Sequence, residues 1–192
     1  AQGRPANQDL VAATAGATFY VWNPFIAERL VIGHWPVLLG YAALPWILIA
    51  ARRIRRDRSG WAALAGWLWL GSLSASAGLV TGVIALLALW RRRAWQGNLW
   101  LVAMLAAANS VWIFSGLLHW SLPSDPVGFR AFAAHGEGGL PTPLATLSLG
   151  GIWNQDVVPG SRTSVLVWVS LLLLQVPMLL IDWTQNHVHS RG

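Results

Sequence analysis

Residues 52–93 read RRIRRDRSGWAALAGWLWLGSLSASAGLVTGVIALLALWRRR. Five arginines stand before Ser59 and three follow Trp90, and the 32 residues between carry no ionisable side chain. That stretch is too long for one untilted crossing of a bilayer, which takes about 20 residues, and too short for two full crossings joined by a turn. Arginine clusters beside apolar runs mark the cytoplasmic edge of membrane segments, so both ends belong on one side. The reading is a short helical hairpin over 59–90 that enters the membrane and returns. Its turn falls at Ser72-Leu73-Ser74-Ala75-Ser76-Ala77-Gly78, where small residues let two backbones approach and hydroxyls take up freed backbone groups. The alternative is one long tilted helix, which would leave Arg91, Arg92 and Arg93 outside.

The rest of the chain has the same character. Of its 192 residues 55% are hydrophobic and 10% charged, against roughly a quarter charged in a soluble domain. All 13 basic residues are arginine, giving a net charge of +6. Because eight of them sit in the two knots, the charge reads as a topology signal and not as a nucleic-acid surface. Cysteine is absent, which excludes disulfides, thiolate metal sites and cysteine nucleophiles. The chain begins Ala1-Gln2-Gly3-Arg4 without an initiator methionine, and an internal piece of a longer protein is expected.

Three further segments read as spans. Leu30 to Ala51, with His34 as its only ionisable member, reaches roughly 33 Å as a helix, with kinks expected at Pro36 and Pro45. Asn98 to Leu122 is the second, and Ser164 to Ile181, closed by Asp182, the third. The expected fold is all-α: a polytopic helical membrane protein of three spans, the re-entrant hairpin and a long external loop with short helices. Residues 1–29 form an external or interfacial segment, 30–122 the membrane helices, 123–163 the external loop and 164–192 the last helix and cytoplasmic tail. Several of the 14 tryptophans, among them Trp22, Trp90 and Trp120, lie near span ends, as in an interfacial belt.

Under this topology the chemistry-bearing residues gather outside: Asp9, Glu28, Arg29, His34, His119, Asp125, Arg130, His135, Glu137, Asp156 and Arg162. Asn23 reads as the N-cap of an external helix with Pro24 at its first position. Glu28 and Arg29, adjacent on it, project about 100° apart and do not share a face. Arg29 with His34 would grip a phosphate while Glu28 orients a polar substrate; the plainer account has them pairing locally or snorkelling to headgroups. Ala134-His135-Gly136-Glu137-Gly138-Gly139 offers a metal pair or an acid and a base, or simply a glycine-rich turn, and no further metal ligands are evident. Trp153 beside Asn154 and Gln155 has the flat apolar face and amide donors that sugars use. An interfacial tryptophan has the same appearance.

The motif Trp22-Asn23-Pro24-Phe25-x-Ala27-Glu28-Arg29-Leu30-x-x-Gly33-His34-Trp35, with Gly40-Tyr41-Ala42 and Leu73-Ser74-Ala75-Ser76-Ala77-Gly78-Leu79-Val80 behind it, resembles actinobacterial multi-pass membrane glycosyltransferases of the GT-C type. The likeness is to the arabinofuranosyl- and mannosyltransferases of cell-envelope assembly and covers about the first 80 residues. It implies a plasma-membrane enzyme that moves a sugar from a polyprenyl-phosphate donor to a glycan or glycolipid acceptor on the external face, by inverting displacement. In that family the general base is a carboxylate in the first external loop, a region not identifiable in this chain, so the role does not pass to Asp9. Glu28 and Glu137 are the candidate bases. Arg29, His34, His135, Trp153, Asn154 and Arg162 are candidates for binding substrate or lipid phosphate. No metal site and no cofactor beyond the lipid-linked sugar is expected, although a divalent metal is compatible with the chemistry. The expected partners are the bilayer, the donor and the acceptor. The competing reading is a non-enzymatic scaffold or transporter segment of an envelope complex; the scarcity of ionisable residues at mid-span disfavours ion coupling. A shared site requires Glu28, Arg29, His34, Glu137 and Arg162 to lie within about 15 Å.

Overall fold

The computed structural model describes residues 6–121 and 126–172 and is all-helical. Its helices are α1 (Ala6–Val21), α2 (Pro24–Val31), α3 (Trp35–Asp57), α4 (Trp61–Gly71), α5 (Ala75–Leu89), α6 (Trp95–Ala108), α7 (Ser110–Leu118), α8 (Pro126–Ala131) and α9 (Thr142–Leu147). Two 3₁₀ turns follow, Gln155–Val157 and Gly160–Arg162, and then helix over 166–172. The remainder of the expected last span, with Asp182 and the tail, lies outside the described residues, as does Asp125. The chain divides into two compact units, one of residues 33–123 and one of residues 1–32 with 124–192.

The first unit is built on α3. Ala43, Ile47, Ala50, Ala51 and Ile54 recur at helical spacing on one face and are buried against Leu64 and Leu68 of α4, Ala85 and Leu89 of α5, and Leu101 of α6. Arg58, in the left-handed region at φ 62°, ends α3, and Gly60 at φ 96° turns the chain into α4 beside Ala50 and Ile54. The far end of α4 reaches Gly40: a Cβ there would meet the Gly71 carbonyl and the Cβ of Ala77. Since Leu89, at the other end of α5, lies back beside Ile54, α4 ascends along α3 and α5 descends. The hairpin is thus formed, with α4 and α5 of 11 and 15 residues, or roughly 17 and 23 Å, each shorter than a bilayer core. Its turn is tighter than expected. Only 72–74 are non-helical, because Ser74 Oγ accepts from Ala77 N at 3.2 Å and caps α5 there, while Ser72 Oγ donates to the Trp69 carbonyl at 2.8 Å.

Three boundaries differ from expectation. The first apolar run starts at Trp35, not Leu30, because Pro36 suits the unbonded first turn of a helix and begins α3 instead of kinking it, and α3 runs on through Pro45. The run 98–122 is two helices bent by 67° at Asn109. There Asn109 Nδ2 donates to the Leu105 carbonyl at 3.1 Å, and Trp112 Nε1 of α7 donates to the Ser72 carbonyl of the hairpin turn at 2.7 Å. Residues 6–21, read as an undivided external segment, form α1. By length and composition α3 is long and apolar enough to cross a membrane, and the bent α6–α7 pair makes a second such element if taken as one span. Outward-facing positions are also apolar: Trp69, Leu79, Leu87, Trp100 and Phe114 are each about two-thirds or more exposed.

Candidate functional site

The second unit brings Glu28, Arg29 and Glu137 together with the guanidinium of Arg162. Asn23 starts α2 as the sequence implies, its Oδ1 accepting from Ile26 N at 3.2 Å, while its Nδ2 donates to the Phe19 and Tyr20 carbonyls and ties α2 to the last turn of α1. One turn on, Glu28 is wholly buried. Arg29 curls back over the Phe25 ring, 3.7 Å from its centroid, and donates to the Phe25 carbonyl. That path brings Arg29 Nη1 to 3.5 Å from Glu28 Oε2, so the pair meets although the two residues leave the helix in different directions.

The loop supplies the other half. Arg162 comes off the second 3₁₀ turn and is 2% exposed. Its Nε and Nη2 lie 2.8 and 2.7 Å from Glu137 Oε2, Nη1 donates to the Ser148 carbonyl at 3.2 Å and Nη2 to Ser148 Oγ at 2.7 Å. Glu137 Oε1 accepts from the main-chain N–H of Gly151 and of Ile152. Glycine is required around this knot by space: a Cβ on Gly150 would strike both Arg162 Nη2 and Glu137 Oε2, and Gly138, at φ 54°, lies against the Arg162 carbonyl. The glycine-rich turn is therefore a cradle for a buried ion pair.

Glu28 and Glu137 consequently differ in chemistry. Both oxygens of Glu137 are occupied, and it positions Arg162. Glu28 Oε1 lies 3.8 Å from Arg162 Nε, and neither of its oxygens accepts a hydrogen bond from the described residues. Burial pushes its carboxyl up from 4.5 to about 7, the Glu137 charge adds to the rise, and Arg162 and Arg29 oppose it. Arg29 is lowered from its ordinary value by burial, against the pull of Glu28 and Glu137. A carboxyl that titrates near neutrality with free lone pairs is suited to accept a proton. Beside the knot, a cleft of about 280 Å³ is lined by Arg162, Ser148, Ser161, Asn23 and the aromatic rings of Phe19 and Trp22. It falls just below the volume of ordinary ligand pockets, about 300–1,000 Å³.

The structure thus brings together Glu28, Arg29, Glu137 and Arg162. His34 belongs to the other unit, where it precedes α3 without capping it through its side chain. His135 donates its main-chain N–H to the Gly151 carbonyl, and its buried Nδ1 has no hydrogen-bond partner among the described residues. No group of three or more potential metal-ligating side chains occurs among the described residues. Trp153 packs edge-on against Phe132 at 4.9 Å, and Asn154 Oδ1 accepts from Asp156 N to start the first 3₁₀ turn; both shape the loop that delivers Arg162. Sequence reasoning missed Ser148 and the amides of Gly151 and Ile152. The run Ser148-Leu149-Gly150-Gly151 held the signal, since adjacent glycines permit the close approach that a buried guanidinium needs.

No protein-family model, curated protein or solved structure matches the chain.

Proposed function

We propose that the chain is part of an integral membrane glycosyltransferase that moves a sugar from a polyprenyl-phosphate donor to a cell-envelope glycan or glycolipid on the external face. Its membrane part would comprise α3, the α6–α7 pair and the last helix as crossings, with α4–α5 as a re-entrant hairpin. The observation that carries this reading is Glu28: a buried carboxyl with no hydrogen bond to either oxygen among the described residues, raised to about 7, and held beside two arginines. A base for an acceptor hydroxyl needs that proton affinity. Arg29, half-buried and joined to Glu28, is the group for the departing lipid phosphate, which carries its own charge and leaves without a nucleotide. Glu137, Ser148 and the glycine cradle hold Arg162 in position. The motif of residues 22–35 and the apolar exterior support the same reading.

The complete burial of Glu28 favours a second reading, in which the ion-pair knot is a lock for the external unit of a membrane scaffold. Membranes from cells expressing the whole reading frame, supplied with labelled polyprenyl-phosphate pentoses and hexoses, separate the two. Transfer of label that falls about 100-fold or more in Glu28→Gln, at unchanged protein level, supports the enzyme. Full transfer in that variant removes Glu28 as the base, and no transfer by the wild type with any donor favours the scaffold.

A further inference from the structure

The two arginine knots, separated in sequence by the hairpin, border one cleft of about 860 Å³ at the end of the first unit where α3 stops and α6 begins. Arg55, Arg56 and Arg58 line it from one side and Arg91 and Arg93 from the other. Asn98 fixes the second knot: its Nδ2 donates to the Arg91 carbonyl at 2.7 Å and its Oδ1 accepts from Arg91 N at 3.2 Å. No carboxylate lines the cleft, and none of these five arginines forms an ion pair among the described residues. Five like charges around one cavity repel one another, and an anion in the middle relieves that repulsion. The first turn of α6, Trp95, Gln96 and Gly97, also faces the cleft, and no side chain caps this 14-residue helix, so its unpaired N–H groups add a positive dipole end.

The remaining walls narrow the ligand class. Ile54 and Leu89 line the cleft together with the rings of Trp61, Trp95 and Trp100, and Trp95 and Trp100 are each 68% exposed at the outside of the unit. Exposed arginines beside buried aliphatic side chains, Ile54 and Leu89, and exposed indoles suit a molecule that carries its phosphate on an acyl-chain body. We propose that this cleft binds a phosphate-bearing anion presented by the headgroup of an anionic phospholipid, and that the two knots form a lipid site in addition to marking topology. The site lies in the other unit from Glu28 and stands independently of the transferase reading.

Arg52, Arg53 and Arg92 belong to the same knots but do not line the cleft, and they supply the control. The full chain is reconstituted in phosphatidylcholine nanodiscs containing a trace of fluorescent phosphatidylglycerol, and exchange is read against unlabelled phosphatidylglycerol, phosphatidylcholine and inorganic phosphate. The wild type should prefer phosphatidylglycerol over phosphatidylcholine by about tenfold or more. Arg56→Gln/Arg58→Gln/Arg91→Gln should abolish that preference, while Arg52→Gln/Arg53→Gln/Arg92→Gln, which removes the same charge, should keep most of it. Displacement by millimolar inorganic phosphate, lost in the cleft variant alone, keeps the anion site and assigns its ligand to solution. Equal losses in the two triple variants, or no preference in the wild type, overturn the proposal.

Discussion

The Arg162 guanidinium meets two glutamates, and the two meetings have opposite consequences for protons. Glu137 gives it a fully bonded carboxylate, and removing one partner of such a buried pair ordinarily costs about 3–5 kcal/mol, since the other charge stays buried. Glu28 stands slightly further off, without hydrogen bonds, and takes up a proton near neutrality. Its ordinary value is 4.5 and its folded value about 7, so between those limits the native state holds a proton that the unfolded chain has lost. Stability therefore falls as the pH rises from about 4.5 to 7 and levels off above, by roughly 3 kcal/mol from this group. Denaturation of the purified chain at pH 5 and pH 7.5 should show that decline in the wild type, and Glu28→Gln should flatten it. An unchanged slope in the variant would assign the pH dependence elsewhere. At this scale the sequence was readable where chemistry is local: Asn23 and Pro24 announced the start of α2. It was silent on which distant residue faces Glu28, because a buried charge is partnered by tertiary packing and not by its neighbours.

Among the elements, the hairpin and the α6–α7 break show what apolar runs conceal. The arginines flanking residues 59–90 gave the expectation that this run doubles back, since cationic clusters favour the same side of a bilayer, and α4 and α5 do double back along α3. Nothing comparable flags Asn109: one amide in an apolar stretch looks the same whether it lies on a helix or ends one. The glycines are similarly ambiguous. Gly40 and Gly66 both sit in helices, yet a Cβ on Gly40 would strike Ala77 while one on Gly66 meets open space. Alanine at the two positions should then act in opposite directions: Gly40→Ala loses about 1–3 kcal/mol by forcing α3 and α5 apart, and Gly66→Ala gains up to about 1 kcal/mol from helix propensity. Thermal unfolding in detergent measures both, and a neutral Gly40→Ala would show that α3 and α5 are not in close contact.

For the molecule as a whole, the absence of cysteine makes topology directly testable, since any introduced thiol is unique. With both knots at one end of the first unit, Ser59→Cys and Gln96→Cys should resist a membrane-impermeant maleimide in intact cells, and Thr163→Cys should react. Labelling of Gln96→Cys from outside, with Ser59→Cys protected, would turn α4–α5 into a single crossing. A helical, lipid-compatible chain with eight of its 13 arginines in two flanking knots follows from composition and order alone, because helix preference, apolar length and charge placement each act within a few turns. The union of Glu28 with Arg162 and Glu137, the glycine cradle, the bend at Asn109 and the cleft between the knots are tertiary. Each depends on desolvating groups, or closing space, between residues separated in sequence, and that free energy exists only once the helices have packed.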